Sequence, residues 1–190
     1  MGGGTIRSFI AIDVEDQEIV RRLVEAQSAL AETGAKLKPV EPQNIHITLW
    51  FLGNITGDMV DRIHEQLKAI EFRPFVVEVY GVGAFPNPNR PRVIWAGVRK
   101  GQEQLTEIYN QLAPRLRRLG FMPESRGFSP HITIARVKGR PSPALAKRIL
   151  ELANQDFGAF RADTIRLKRS NLTPKGPVYT TLREVKAKEG

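Results

Sequence analysis

The tetrapeptide His46-Ile-Thr-Leu49 recurs as His131-Ile-Thr-Ile134, 85 residues further along a chain of 190. With each residue type at roughly 5% abundance, a given second histidine would be followed by Ile, Thr and an aliphatic about once in a thousand trials, so chance is a poor explanation. Overlaying the chain on itself at the same offset brings Arg7-Ser-Phe-Ile-Ala11 onto Arg92-Val-Ile-Trp-Ala96, the run from Phe75 onto the run from Phe160, and Val93 onto Val178. Self-similarity at a fixed period marks an internal duplication. The chain is therefore expected to build two similar lobes as one bilobal domain over residues 1–190, with the last strand completing the count. The segment Phe85-Pro-Asn-Pro-Asn-Arg-Pro91 carries turn residues and is the expected lobe boundary.

Runs rich in β-branched and aromatic residues predict strands at Ile6 to Asp13, His46 to Leu52, Phe75 to Val82, Val93 to Val98, His131 to Val137, Phe160 to Leu167 and Val178 to Val185. Apolar stripes at helical spacing predict helices over Glu15 to Ala31, Asp58 to Ile70, Gln102 to Leu119 and Ser142 to Ala153. Asp58 and Ser142 are the expected N-caps, the latter followed by Pro143 at the favoured first helical position.

Side chains alternate faces along a strand, so His46 and Thr48 share one face while Ile47 and Leu49 take the other, and His131 and Thr133 repeat the pattern. If a pseudo-twofold axis relates the lobes, two imidazoles and two hydroxyls meet across a cleft. That set suits in-line displacement at a phosphodiester. One histidine takes a proton from the attacking water while the other protonates the departing oxygen on the far side of phosphorus. An unperturbed imidazole pKa of about 6.5 leaves both protonation states accessible near neutrality. Each threonine hydroxyl can donate to a non-bridging phosphate oxygen where charge builds. The scheme needs no metal or other cofactor, and neither histidine sits in an HExxH or HxH pattern. His64 has no counterpart at position 149, which is Ile, and is expected on a helix surface.

The charge is one-sided. Residues 1–95 hold 10 basic and 12 acidic side chains, whereas 96–190 hold 19 and 8, within an overall formal charge of +9. A field of this kind concentrates polyanions and suits RNA or a phosphorylated ligand. Cysteine is absent, which removes disulfides and thiolate chemistry. No apolar run approaches the roughly 18 residues of a membrane span, Met1 to Ile6 offers no basic region leading into an apolar stretch, and Ile6 stands where a myristoylation signal at Gly2 needs Ser or Thr. A cytoplasmic protein with no membrane association is expected.

The two H-x-T-hydrophobic motifs, His46-Ile-Thr-Leu-Trp-Phe-Leu-Gly53, Phe128-Ser-Pro-His-Ile-Thr-Ile-Ala-Arg136 and Thr173-Pro-Lys-Gly-Pro-Val-Tyr179 together resemble the 2H phosphoesterase superfamily, and within it the RNA 2',3'-cyclic phosphodiesterases, also called 2'-5' RNA ligases. The resemblance runs over nearly the whole chain. It implies a bilobal α+β fold whose two pseudo-symmetric lobes each carry a mainly antiparallel sheet with two helices outside and a cleft between. It also implies hydrolysis of an RNA 2',3'-cyclic phosphate end to a 2'-phosphomonoester, with His46 as proton donor to the leaving 3'-oxygen and His131 as the acceptor that activates water. Thr48 and Thr133 would hold the phosphate, and Arg136 would contact phosphate or RNA. Reversal, with a ribose 5'-hydroxyl replacing water, gives ATP-independent 2'-5' ligation. A monomer is expected.

Strict alternation places Arg136 on the face away from His131, so a bulge or strand end after Thr133 is required if it is to reach ligand. The same alternation puts Trp50 on the face of His46, where it would either stack on the terminal base or pack under a helix. Arg126, Lys138, Arg140, Lys168, Arg169 and Lys175 are expected on or near loops along an RNA path. Two other readings stay open: an RNA-end-binding accessory protein without catalysis, and the same chemistry on a small cyclic nucleotide.

Overall fold

The computed structural model describes residues 4–189; Gly2 and the rest of 1–3 lie outside the described residues, as does Gly190. Among the described residues there are nine strands and four α-helices, with every strand pairing antiparallel, which is the expected α+β class. The strands are β1 (Ile6–Asp13), β2 (Leu37–Pro39), β3 (His46–Ile55), β4 (Phe75–Phe85), β5 (Val93–Val98), β6 (His131–Val137), β7 (Asp156–Ala162), β8 (Thr164–Thr173) and β9 (Gly176–Lys186). The helices are α1 (Gln17–Ala31), α2 (Gly57–Lys68), α3 (Gln102–Arg118) and α4 (Pro143–Glu151). No helix among the described residues is long and apolar enough to cross a membrane.

All nine strands join one sheet in the order β7-β4-β5-β6-β3-β1-β8-β9, with β2 on β6. The two repeat strands bearing the histidines, β3 and β6, lie side by side at its centre. They pair only at Ile47 and Ile132, after which β2 takes over the edge of β6. A single pair at the midline lets β3 and β6 splay apart and open a cleft there.

The expected boundary at residues 85–91 is a hairpin turn instead, because β4 and β5 pair directly across it. The repeats exchange elements. β4 leaves the first repeat to join β5, β6 and β7, while β8 and β9 return to β1 and β3. Helices follow: α1 and α4 pack together over the β4, β6 and β7 side, and α2 and α3 over the β3 and β9 side. Only Asp163 separates β7 at one end of the order from β8 in the other half, so the predicted strand Phe160 to Leu167 is two strands. One residue spans less than about 4 Å, which requires the sheet to curl until its ends approach.

Register also corrects the overlay of the first strand. Asp13 opposes His46 while Gly97 opposes His131, so β1 and β5 correspond at an offset of 84, one less than the histidine strands. The helix starts follow their capping chemistry. Ser142 caps α4, its hydroxyl accepting from the Leu145 N–H, with Pro143 opening the helix; at α2, Thr56 caps in place of Asp58, accepting from Met59 N–H. His64 lies partly exposed on α2.

The aliphatics facing away from the histidines, including Ile47, Ile132 and Ile134 at the sheet centre, are fully buried under the helices. This leaves the opposite face of the sheet to polar and aromatic side chains.

Candidate active site

Stepping one residue each way from the Ile47–Ile132 pair sets His46 level with Thr133 and Thr48 level with His131. Residues level across an antiparallel pair point to the same face. The four side chains thus form a square with the imidazoles on one diagonal and the hydroxyls on the other. All four are partly exposed.

Local backbone geometry fixes both rings in the same way. His46 Nδ1–H donates to the Asn44 carbonyl at 2.6 Å, and His131 Nδ1–H donates to the Ser129 carbonyl at 2.7 Å. A carbonyl only accepts, so the proton sits on Nδ1 and Nε2 is left for chemistry. In His46, Nε2 accepts from the Thr48 hydroxyl at 2.9 Å. Asn44 and Ser129 are themselves 85 residues apart, so the orienting carbonyls belong to the repeat. The buried Asn44 side chain donates to the Pro177 carbonyl at 2.9 Å, tying the start of β9 to the first histidine. Phe9 and Tyr179 flank His46 at ring-centroid distances of 4.9 and 5.5 Å, and Phe85 meets His131 edge-on at 5.0 Å.

Burial holds the His46 pKa below the ordinary imidazole value. The Asn44 carbonyl and the Asp13 carboxylate oppose that shift, while Lys168 and the second imidazole, His131, add to it. Asp13 is fixed level with His46 and accepts from Lys168 Nζ at 2.9 Å and Arg166 Nη1 at 2.8 Å. Burial likewise raises the pKa of Tyr179, against the pull of Arg136 and Arg7.

Simple alternation fails beyond the threonines, and the failure decides which side chains reach the cleft. Register shifts at the step between Thr48 and Trp50 and at the step between Thr133 and Ala135 leave Leu49 and Ile134 as extra residues. A bulge of this kind turns the following side chains to the other face. Trp50, expected beside His46, is therefore 4% exposed and stacked on Tyr109 at 5.4 Å, so the packed alternative is the one observed. Phe51 takes its place on the cleft face and is 56% exposed. By the same device Arg136, which alternation turned away, reaches the cleft beside Thr133 and His46. Gln27 of α1, itself buried, supports the second bulge by donating to the Ile134 carbonyl at 2.8 Å.

The histidine row separates two recesses that share Thr48 and Phe51. On the His46 side a groove of about 750 Å³ carries five cations, Arg7, Lys38, Arg136, Lys138 and Lys175, against one carboxylate, Glu41. On the His131 side a pocket of about 210 Å³ is walled largely by aromatic and aliphatic side chains, with Arg126 and Glu124 its charged members. Of the basic residues expected along an RNA path, Lys138 and Lys175 line the groove and Arg126 the pocket. Lys168 and Arg169 lie within β8, the first paired with Asp13 and the second bonded to Asn171. Arg140 is exposed and lines neither recess. Arg7, Lys38 and Phe51 were missed from sequence. Phe51 was within reach, since it stands 85 residues before Arg136.

The LigT like Phosphoesterase family model matches the chain over residues 12–95 and again over 97–179, two stretches whose starts lie 85 residues apart. An RNA 2',3'-cyclic phosphodiesterase of Aeropyrum pernix is 44% identical over 170 residues, covering 89% of this chain and 97% of its own, and one of Archaeoglobus fulgidus is 41% identical over 180 residues, covering 94% and 98%. Among solved structures, TT0787 of Thermus thermophilus superposes with a TM-score of 0.80 at 30% identity, covering 95% of this chain and 97% of that one. Escherichia coli LigT in complex with 3'-AMP shares the fold, with a TM-score of 0.79 at 24% identity over 97% and 99%. The chain belongs to the LigT-like phosphoesterase family.

Proposed function

We propose that this protein hydrolyses RNA ends bearing a 2',3'-cyclic phosphate to 2'-phosphomonoesters by paired-histidine acid–base catalysis. The observation that carries the reading is the square of His46, Thr133, Thr48 and His131, with both Nε2 atoms left free of the backbone. A phosphorus atom over its centre has an imidazole at each apical position and a hydroxyl for each non-bridging oxygen. The names borne by the relatives, 44% and 41% identical, support the substrate class.

Water beside His131 gives its proton to Nε2 as its oxygen closes on phosphorus. The 3'-oxygen leaves on the opposite side and takes a proton from His46 Nε2. Burial keeps free His46 neutral more readily than an ordinary histidine. The anionic phosphodiester favours the imidazolium, so substrate binding itself arms the donor. Thr48 and Thr133 donate to the charge that builds on the non-bridging oxygens. Arg136 lies next to the phosphate position and contributes a fixed cation, and Phe51 offers a face to a base. The five cations of the groove favour a polynucleotide over a small cyclic nucleotide. Both imidazoles come from one chain, so a monomer suffices. With a 5'-hydroxyl in place of water, the same base and acid act and the product is a 2'-5' linkage; in the reverse cleavage of that linkage the two histidines exchange roles.

The test is incubation of an RNA carrying a 2',3'-cyclic phosphate with the protein in EDTA, without nucleotide, and identification of the terminus. A 2'-phosphomonoester is expected, lost in His46→Ala and in His131→Ala. An unchanged terminus overturns the reading, and a 3'-phosphomonoester overturns the identity of the leaving oxygen.

A further inference from the structure

Beyond Thr133 the course of β6 is costly. Lys38 of β2 stands level with Arg136 of β6, so the bulge turns two cations to the same side of the sheet, and both line the groove. Like charges directly opposite one another across a strand pair are destabilising. β2 is only three residues long, so its ladder offers little to hold them there. What opposes the cost is an amide from the helix layer behind. Gln27 of α1 is 8% exposed, and its Nε2 donates to the Ile134 carbonyl at 2.8 Å and to the Val40 carbonyl at 2.9 Å, which uses both of its hydrogens. The Val40 N–H closes the triangle by donating to the same Ile134 carbonyl at 2.9 Å. The extra residue of β6, the end of β2 and the helix are thereby joined at one point. The duplicated helix lacks this device. At the 85-residue offset α3 carries Leu112, fully buried, and the bulge of β3 turns out Phe51, which bears no charge. The polar clamp thus accompanies the bulge that must present one cation level with another.

We infer that Gln27 is a positioning residue for the reaction: it locks β6 in its bulged register and so keeps the Arg136 guanidinium beside the phosphate. The inference rests on the function proposed above and adds a buried side chain that acts on substrate only through Arg136. Without the amide, the Ile134 and Val40 carbonyls lose their shared donor and the repulsion between Lys38 and Arg136 is unopposed. Regular alternation then turns Arg136 away from the cleft. His131 precedes the extra residue, and both histidines keep their own backbone carbonyls, so the acid and the base stay in place.

The experiment places Gln27→Met, similar in length and without a donor, in the wild-type protein and in Arg136→Met, and measures opening of a cyclic-ended oligonucleotide. With Arg136 present, KM is expected to rise about 10-fold, inside the roughly 2- to 150-fold span of coupled neighbours. The change in kcat is expected to stay within about twofold, because a fixed cation that binds ground and transition states alike is what is lost. In the Arg136→Met background the same substitution is expected to change KM by less than about twofold. Both limbs of the pH profile of kcat should keep their positions. Gln27→His, which retains one N–H donor, is a second variant should Gln27→Met not fold, with a smaller rise in KM that also vanishes without Arg136. No rise in KM with Arg136 present, an equal rise in both backgrounds, or a displaced limb of the pH profile overturns the inference, while turnover by the wild-type protein upholds the proposed function. Absence of turnover in the wild-type protein overturns both.

Discussion

Neighbouring aromatics at positions 50 and 51 should fail in opposite ways when truncated to alanine. Phe51 is 56% exposed, so somewhat less than half of its ring area is buried. Phe51→Ala should therefore cost about 1 kcal/mol of stability, against about 1.5–3 for a fully buried side chain. Trp50 is 4% exposed, and large-to-small truncation of a buried Trp costs about 3–5 kcal/mol. Its Nε1 has no hydrogen-bond partner among the described residues, so deletion also removes a buried unpaired donor worth about 1–3 kcal/mol. The net expectation is a loss of about 2–3 kcal/mol, a fall in Tm of roughly 5–10 °C for a chain of this size. Binding reverses the order. Phe51→Ala should raise KM for a cyclic-ended oligonucleotide by roughly 5- to 100-fold if its face carries a base, while Trp50→Ala stays within about threefold of wild type. Thermal unfolding and initial rates of cyclic-phosphate opening, measured on both variants well below their melting temperatures, decide the matter. A KM effect at position 50 with none at 51 refutes the account of the bulge after Thr48.

The depressed His46 pKa gives stability a definite pH dependence. Because the unfolded chain binds a proton at about pH 6.5 and the folded one only at lower pH, stability is full above that value and falls as pH drops from it through the folded pKa. His46→Gln should flatten that part of the curve of chemical denaturation against pH, and a curve that coincides with wild type contradicts the burial argument. Lys168, 8% exposed and bonded to Asp13 at 2.9 Å, should act on His46 through charge. Lys168→Met removes an ammonium that disfavours the imidazolium and leaves Asp13 paired with Arg166, so an NMR titration of His46 should move upward; a downward movement rules out this electrostatic role.

Much of the site was legible because it repeats at the period of the backbone. His46, Thr48, His131 and Thr133 need only the twofold alternation of a strand to share a face, and the duplication supplies the symmetry that brings both sets together. The cleft residues beyond them were not legible by alternation. Trp50 and Arg136 both lie past an extra residue, and a one-residue slip sends every later side chain to the other face. The strand Phe160 to Leu167 reads as continuous because nothing in its composition marks Asp163 as the point where the chain passes from one half of the sheet to the other.

By itself the sequence determined the four helices, the histidine strands and the chemistry that two imidazoles and two hydroxyls can perform, while the α+β class came only through the family resemblance. The former follow from local periodicity and residue type. Tertiary structure decided which strand joins which half, the 84-residue register of β1 against β5, the exposure of Phe51 and Arg136, and the contrast between a basic groove at His46 and an aromatic pocket at His131. The physical reason is that element exchange and strand register are set by contacts between segments far apart in the chain, and a bulge becomes visible only against the partner strand that it is out of step with.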